Sequence, residues 1–301
     1  MPMKDLANKI TTLQRVFTGI TRVTEFQKDL KPVEVLTQQI SSEDFFDRVE
    51  FNIAKFEYSN SDAHFKGDNR ESFFLEPISF SIKRGESLGI AGKSGAGKTT
   101  LVKLMTLQLY GPSSKVAFIT GSQVRHVDFS LREDLMYYTQ QISIVSQESH
   151  LFSTSIFFNV TLSHQLDEQF LIFWNQMEEI VPYLKSWKIS PNTRIAPKEL
   201  SYGQRQLIGA LRAIYLKRPI IIFDEISAGM DKELEKSLYK LLSILAKECL
   251  TIVVAHRLET IKRCNSILLM NSGTVIDYGS NDELLNRSQL YGEFLKEAGE
   301  I

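Results

Sequence analysis

Eight consecutive residues constrain this chain more than any other feature. Gly92-Lys93-Ser94-Gly95-Ala96-Gly97-Lys98-Thr99 fits the pattern G-x-x-x-x-G-K-[ST]. It follows the short apolar run from Ser87 to Ala91, and a helical pattern starts at about Lys98. Strand, glycine-rich loop and helix form the context in which this pattern binds nucleotide phosphates. Without Cβ atoms, Gly95 and Gly97 let the backbone wrap closely around phosphate oxygens. The N–H groups of the loop and of the helix start, up to Thr100, present positive potential to an anion. Lys98 can reach the β- and γ-phosphates, and the Thr99 hydroxyl can ligate Mg²⁺. Average residue frequencies give roughly 0.01 such matches by chance in a chain this long.

The rest of the sequence places this loop in an α/β chain. Val49 to Tyr58 and Ile78 to Ile82 alternate like half-buried strands. Lys83-Arg84-Gly85-Glu86 reads as a turn. Ile142 to Val145, Ile220 to Phe223, Thr251 to Val254 and Ile267 to Met270 are short, apolar and rich in β-branched residues, as buried strands are. Helical segments separate most of them, which argues for a largely parallel sheet. About 151–216 reads as a helical insert. Near the start, Leu6, Ile10, Leu13, Phe17 and Ile20 share one helix face until Lys31-Pro32. A polar linker follows from Thr37 to Asp47. The expected division is a helical extension and linker over 1–45 and one domain over 46–301.

One strand carries a second chemical marker. Ile220-Ile221-Ile222-Phe223 runs directly into Asp224-Glu225. Ligands of open α/β sheets sit at the carboxyl ends of the strands. Asp224 is thus placed to hold Mg²⁺, and Glu225 to orient and polarise an attacking water. An ordinary acidic turn after a strand is the alternative.

Charge and apolar runs exclude other classes. The formal net charge of −1 offers no basic excess for nucleic acid. The two cysteines, Cys249 and Cys264, lack metal-ligand spacing and read as reduced, partly buried thiols. No apolar stretch approaches the roughly 20 residues that span a bilayer. A membrane role would come through a partner or through sequence upstream.

Leu200-Ser201-Tyr202-Gly203-Gln204-Arg205-Gln206 resembles the signature of ATP-binding cassette (ABC) proteins, usually Leu-Ser-Gly-Gly-Gln. It precedes the acidic strand by a short helical interval, as in that family. The resemblance covers almost the whole chain and is surest from about Val49 to Leu285. It implies a P-loop NTPase core with a mainly parallel sheet, an N-terminal antiparallel β subdomain and a helical subdomain. It also assigns residues. Tyr58 matches the aromatic that stacks on adenine, a core strand aromatic being the alternative. Gln147 matches the glutamine near Mg²⁺ and the attacking water. Asp231 matches the aspartate that communicates across the dimer. His256 matches the histidine that contacts the γ-phosphate. Tyr202 departs from the pattern by replacing the first signature glycine, Ala228-Gly229 stands where Ser-Ala is usual, and 193–199 lacks the Gly-Glu of many exporters.

Such cassettes work as head-to-tail pairs. The resemblance implies that Ser201, Gly203 and Gln204 of one copy complete the ATP site of another. The expected cofactors are ATP and Mg²⁺. Expected partners are a second cassette, in a homodimer or heterodimer, and a transmembrane domain, fused upstream or separate. Powered transport at the cytoplasmic face of a membrane is the leading reading. A soluble cassette ATPase of DNA repair or translation, and an ATP-binding regulatory subunit with weak turnover, are the alternatives.

Overall fold

The computed structural model describes residues 46–58, 73–111, 113–146, 149–224, 232–254 and 258–297. The helix expected from Leu6 to Ile20 lies outside them. The strands in chain order are β1 (Arg48–Ile53), β2 (Phe56–Glu57), β3 (Phe74–Leu75), β4 (Ile78–Lys83), β5 (Ser87–Ala91) and β6 (Lys115–Thr120). They continue with β7 (Gln123–Asp128), β8 (Ile142–Val145), β9 (Ile220–Asp224), β10 (Leu250–Val254), β11 (Ser266–Asn271) and β12 (Thr274–Gly279). The helices are α1 (Lys98–Met105), α2 (Arg132–Gln141), α3 (Ile156–Thr161), α4 (Glu168–Ile180) and α5 (Pro182–Ser186). They continue with α6 (Tyr202–Leu216), α7 (Lys232–Glu248), α8 (Leu258–Lys262), α9 (Asn281–Arg287) and α10 (Gln289–Glu297).

The main sheet has the order β12-β11-β5-β10-β9-β8. From β11 to β8 every neighbouring pair is parallel, and β12 returns antiparallel along β11. Successive side chains of a strand point to opposite faces, and this alternation divides the core. Ile221 and Phe223 of β9 face a cluster with Leu207, Leu211, Leu238 and Leu241 from α6 and α7. Ile220 and Ile222 face the opposite cluster, with Leu101 and Met105 of α1 and Val49 and Phe51 of β1. A strand buried on both faces needs the unbroken apolar run that β9 shows. On α7, Leu234, Leu238, Leu241 and Leu245 step by four and three and are all buried.

The antiparallel sheet, β4-β1-β6-β7, is larger than the sequence led us to expect. β6 and β7 form a hairpin closed by the two residues Gly121 and Ser122, with Gly121 at φ +57°. The run from Val49 to Tyr58, expected as one strand, is two. The Ala54 N–H donates to Ser114 Oγ at 3.1 Å instead of continuing the ladder, and β2 pairs with β3 in a separate ribbon. Between β8 and β9 come α3 to α6, the helical insert expected over 151–216, with one isolated bridge between Ser155 and Arg194. Among the described residues, no helix is long and apolar enough to cross a membrane.

Candidate nucleotide site

Four adjacent parallel strands, β5, β10, β9 and β8, end at one edge of the main sheet. β5 runs into the loop 92–99. β9 ends on Asp224, whose register partner on β10 is Val254. On β8, Val145 lies opposite Phe223. Gln147, Glu225, Asp231 and His256 lie outside the described residues. Gln147 is two positions beyond β8, Glu225 directly follows Asp224, and His256 is two positions beyond β10.

The glycine-rich loop is built from local geometry. Gly95 and Gly97 have φ of +81° and +101°, in the left-handed region that disfavours other residues. Gly97 caps α1, and its carbonyl accepts the Leu101 N–H at 2.9 Å. The Ala96 N–H donates to Lys93 O at 3.1 Å, and Gly273 N–H donates to Ala96 O at 3.0 Å, which ties the loop to the β11–β12 turn. Lys98 is buried, and its ammonium donates to the carbonyls of Gly92 and Lys93 at 2.7 and 2.9 Å. Lys93, Ser94, Gly95 and Thr99 are exposed, whereas Gly92, Ala96, Gly97 and Thr100 are buried. A Cβ at Gly95 would meet nothing within 4 Å, so the loop faces open space there. Exposed loop residues, a cation held against loop carbonyls and a hydroxyl at Thr99 fit a phosphate chain carrying Mg²⁺.

Tyr58 stands beside this loop. Its hydroxyl lies 3.1 Å from Thr100 Oγ1, in the first turn of α1. Its ring meets Phe56 edge-on at 5.2 Å and Phe73 at 6.3 Å. Tyr58 is half-buried and belongs to neither core cluster.

The signature stretch forms the start of α6. Ser201 is the N-cap, its hydroxyl accepting the Gln204 N–H at 3.2 Å while Gln204 Oε1 accepts the Ser201 N–H at 2.9 Å. This reciprocal capping box explains why a helix begins here. A hydroxyl that accepts keeps its own proton to donate, and Ser201 is exposed. Gln204 Nε2 donates to the Tyr183 hydroxyl at 3.2 Å, bracing the helix start on α5. Gln206 Nε2 donates to the Tyr202 hydroxyl at 2.7 Å, and Gly203 is buried. The structure thus gathers Tyr58, the loop and Asp224 around α1, β5 and β9, and carries Ser201, Gly203 and Gln204 on α6.

Sequence reasoning missed three residues here. Phe73 touches the loop at Gly97. Asn159 is fully buried, accepting the Phe152 N–H and donating to the carbonyls of Phe152 and Ser155. Arg212 on α6 donates to the carbonyls of Asn159 and His150 at 2.7 and 3.1 Å, and burial holds its guanidinium below the ordinary arginine range. No sequence signal marked Arg212, since its partners are carbonyls more than fifty residues away.

The ABC transporter family model matches residues 75–228. The ATP-dependent lipid A-core flippase of Francisella tularensis subsp. holarctica (strain OSU18) is 34% identical over 222 residues, 72% of this chain and 35% of that protein. The protein of the same name in Saccharophagus degradans (strain 2-40) is 30% identical over 295 residues, 95% of this chain and 48% of the relative. The chain therefore spans half or less of the length of these curated relatives. A bacterial Atm1-family ABC exporter, solved with ATP bound, shares the fold with a TM-score of 0.68 at 21% identity, over 95% of this chain and 48% of its own. The glycine loop, the capped helix at Ser201 and the acidic end of β9 all fall within the matched segment, and on that agreement the chain belongs to the ABC transporter family.

Proposed function

We propose that this chain binds and hydrolyses Mg·ATP and thereby powers transport across a membrane. The observation that carries the reading is the convergence of four parallel strands on one edge, where β5 runs into the loop 92–99 and β9, one strand away across β10, ends on Asp224. Lys98 would exchange its loop carbonyls for the β- and γ-phosphate oxygens. Thr99 and Asp224 would hold Mg²⁺, with Gln147 beside it. When bound, the ion neutralises charge on the phosphates during transfer. Glu225 would orient and polarise the attacking water, and His256 would contact the γ-phosphate. Tyr58 would carry the adenine.

A second cassette supplies the other wall of the site. Ser201 and Gly203 of one copy would donate to the γ-phosphate held by the partner, with Asp231 at the contact between copies. Glycine has no side chain, so Gly203 would make this contact through its backbone N–H. ATP would act as a contact present in only one state, and its hydrolysis would shift the pair toward opening. A transmembrane domain attached near Gln147 would feel that shift. Within the chain, residues 46–301 would form the ATP-binding domain and 1–45 a separate extension toward the membrane domain.

The test is Mg·ATP turnover by the purified chain, with and without residues 1–45. We expect turnover that depends on Mg²⁺ and on protein concentration, unchanged in affinity for ATP after the deletion. A chain that binds no ATP, or that hydrolyses it with equal specific activity at every concentration, contradicts the paired site.

A further inference from the structure

We propose that Phe73 is a second nucleobase-binding residue, forming with Tyr58 an aromatic corner that receives a purine. The inference rests on the ATP reading above and deepens it. Phe73 immediately precedes β3. Its two successors are accounted for otherwise: Leu75 is fully buried, and the exposed Phe74 lies under the Lys55 ammonium, 5.0 Å from its ring centroid. Phe73 itself is half-buried and belongs to neither core cluster. Its ring tip reaches the phosphate loop. A Cβ placed on Gly97 would stand 3.0 Å from Phe73 Cζ, so the ring covers the backbone of that glycine.

Both rings are therefore registered to the same turn of helix. Phe73 rests on Gly97, the N-cap of α1, and the Tyr58 hydroxyl rests on Thr100, three positions on. The rings meet at 6.3 Å and 52°, already in contact, so no base fits between them. A base would instead pack against the outside of the corner, touching both rings. Aromatic faces bind bases through stacking, and because each ring is fixed to α1, the base would be held in register with phosphates at the loop. The backbone amides read the phosphates, and the corner adds the base.

The test uses the full chain and two probes, Mg·AMP-PNP and Mg·tripolyphosphate, with affinities measured by titration calorimetry. The variants are Phe73→Ala, Phe73→Leu and Tyr58→Ala. Loss of one stacking ring should weaken AMP-PNP about tenfold, and Phe73→Leu should fall between wild type and Ala. Tripolyphosphate should bind Phe73→Ala within about twofold of wild type, which also shows that the loop is folded. Equal losses for both probes would make Phe73 a prop for Gly97 and overturn the proposal. An unchanged AMP-PNP affinity in Phe73→Ala, beside a loss in Tyr58→Ala, would overturn it while leaving the ATP reading intact. Wild-type protein that binds neither probe would overturn both.

Discussion

The side-chain amide of Gln206 donates to the hydroxyl of Tyr202 across one turn of α6, at 2.7 Å. Gln206 is fully buried, so this bond fixes the direction of the tyrosine. The phenol oxygen is thereby held on the α6 face that carries Gln206, one turn along the helix. Tyrosine in place of the usual signature glycine thus has a built position. Tyr202→Phe should cost about 1 kcal/mol, the worth of one hydrogen bond, read from urea unfolding at constant m. Tyr202→Gly, made with Glu225→Gln to block turnover, should leave ATP-driven dimerisation within about threefold of its parent. A gain of tenfold or more in sedimentation would mean that the ring crowds the partner.

Glu225 and Lys98 should fail in different ways. Glu225→Gln keeps the shape of the side chain but removes the carboxylate, and a positioned general base contributes about 10²- to 10⁴-fold. ATP binding should persist while turnover falls by that order. Lys98→Ala removes the cation now held on the carbonyls of Gly92 and Lys93, and should weaken binding itself. Wild-type turnover in the glutamine variant would sink the assignment.

Cys249 and Cys264 should be inert toward thiol reagents in the folded chain. Both are free and buried, and burial pushes each thiol up to about 12. The thiolate is the reactive form. At pH 8 its population is then about 10⁻⁴, against roughly a quarter at an ordinary value of about 8.5. A pKa raised by folding leaves the contribution intact below about pH 8.5 and removes it as pH rises toward 12. Ellman's reagent at pH 8 should find no thiol in the native chain and two in urea. Rapid native labelling would show that the turns leading into β10 and β11, where the two cysteines lie, open far more often than a shared core permits.

Legibility in the sequence followed the range of the interactions. β5, β9, β10 and β11 were readable because a strand buried on both faces is apolar nearly throughout, β8 because three of its four residues are Ile or Val although it is a half-buried edge strand, and the glycine loop because its chemistry lies within eight residues. The β6–β7 hairpin carried the signal Gly121-Ser122 between two runs of six. It was hidden because β7 is an edge strand whose first four residues, Gln123 to His126, are exposed. The break at Ala54 could not be seen, since its N–H goes to Ser114, sixty residues away. Phe73 was illegible for the same reason, because it meets Gly97 only once β3 and the loop are both in place.

Arg212 was illegible in another way, since a charged residue on an amphipathic helix reads as solvent-facing. In the structure its guanidinium lies on two carbonyls, Asn159 O at the end of α3 and His150 O in the segment after Gln147. Asn159 closes that segment through three bonds to Phe152 and Ser155. The helix that begins with the signature therefore grips the chain leaving Gln147. Hydrogen bonds from charged groups are worth about 1.5–3 kcal/mol, so Arg212→Met should destabilise by at least that much. Arg212→Lys should recover little, because a single ammonium nitrogen replaces the Nε and Nη2 that reach the two carbonyls separately. The kinetic consequence separates positioning from bulk stability. At a temperature where the variant is fully folded, ATP affinity should stay near wild type, because the loop 92–99 hangs on β5. The turnover number should fall several-fold, because the segment after Gln147 is no longer held. A variant that loses stability yet keeps wild-type turnover would reduce Arg212 to packing, and one that loses affinity first would place its effect at the phosphate loop instead.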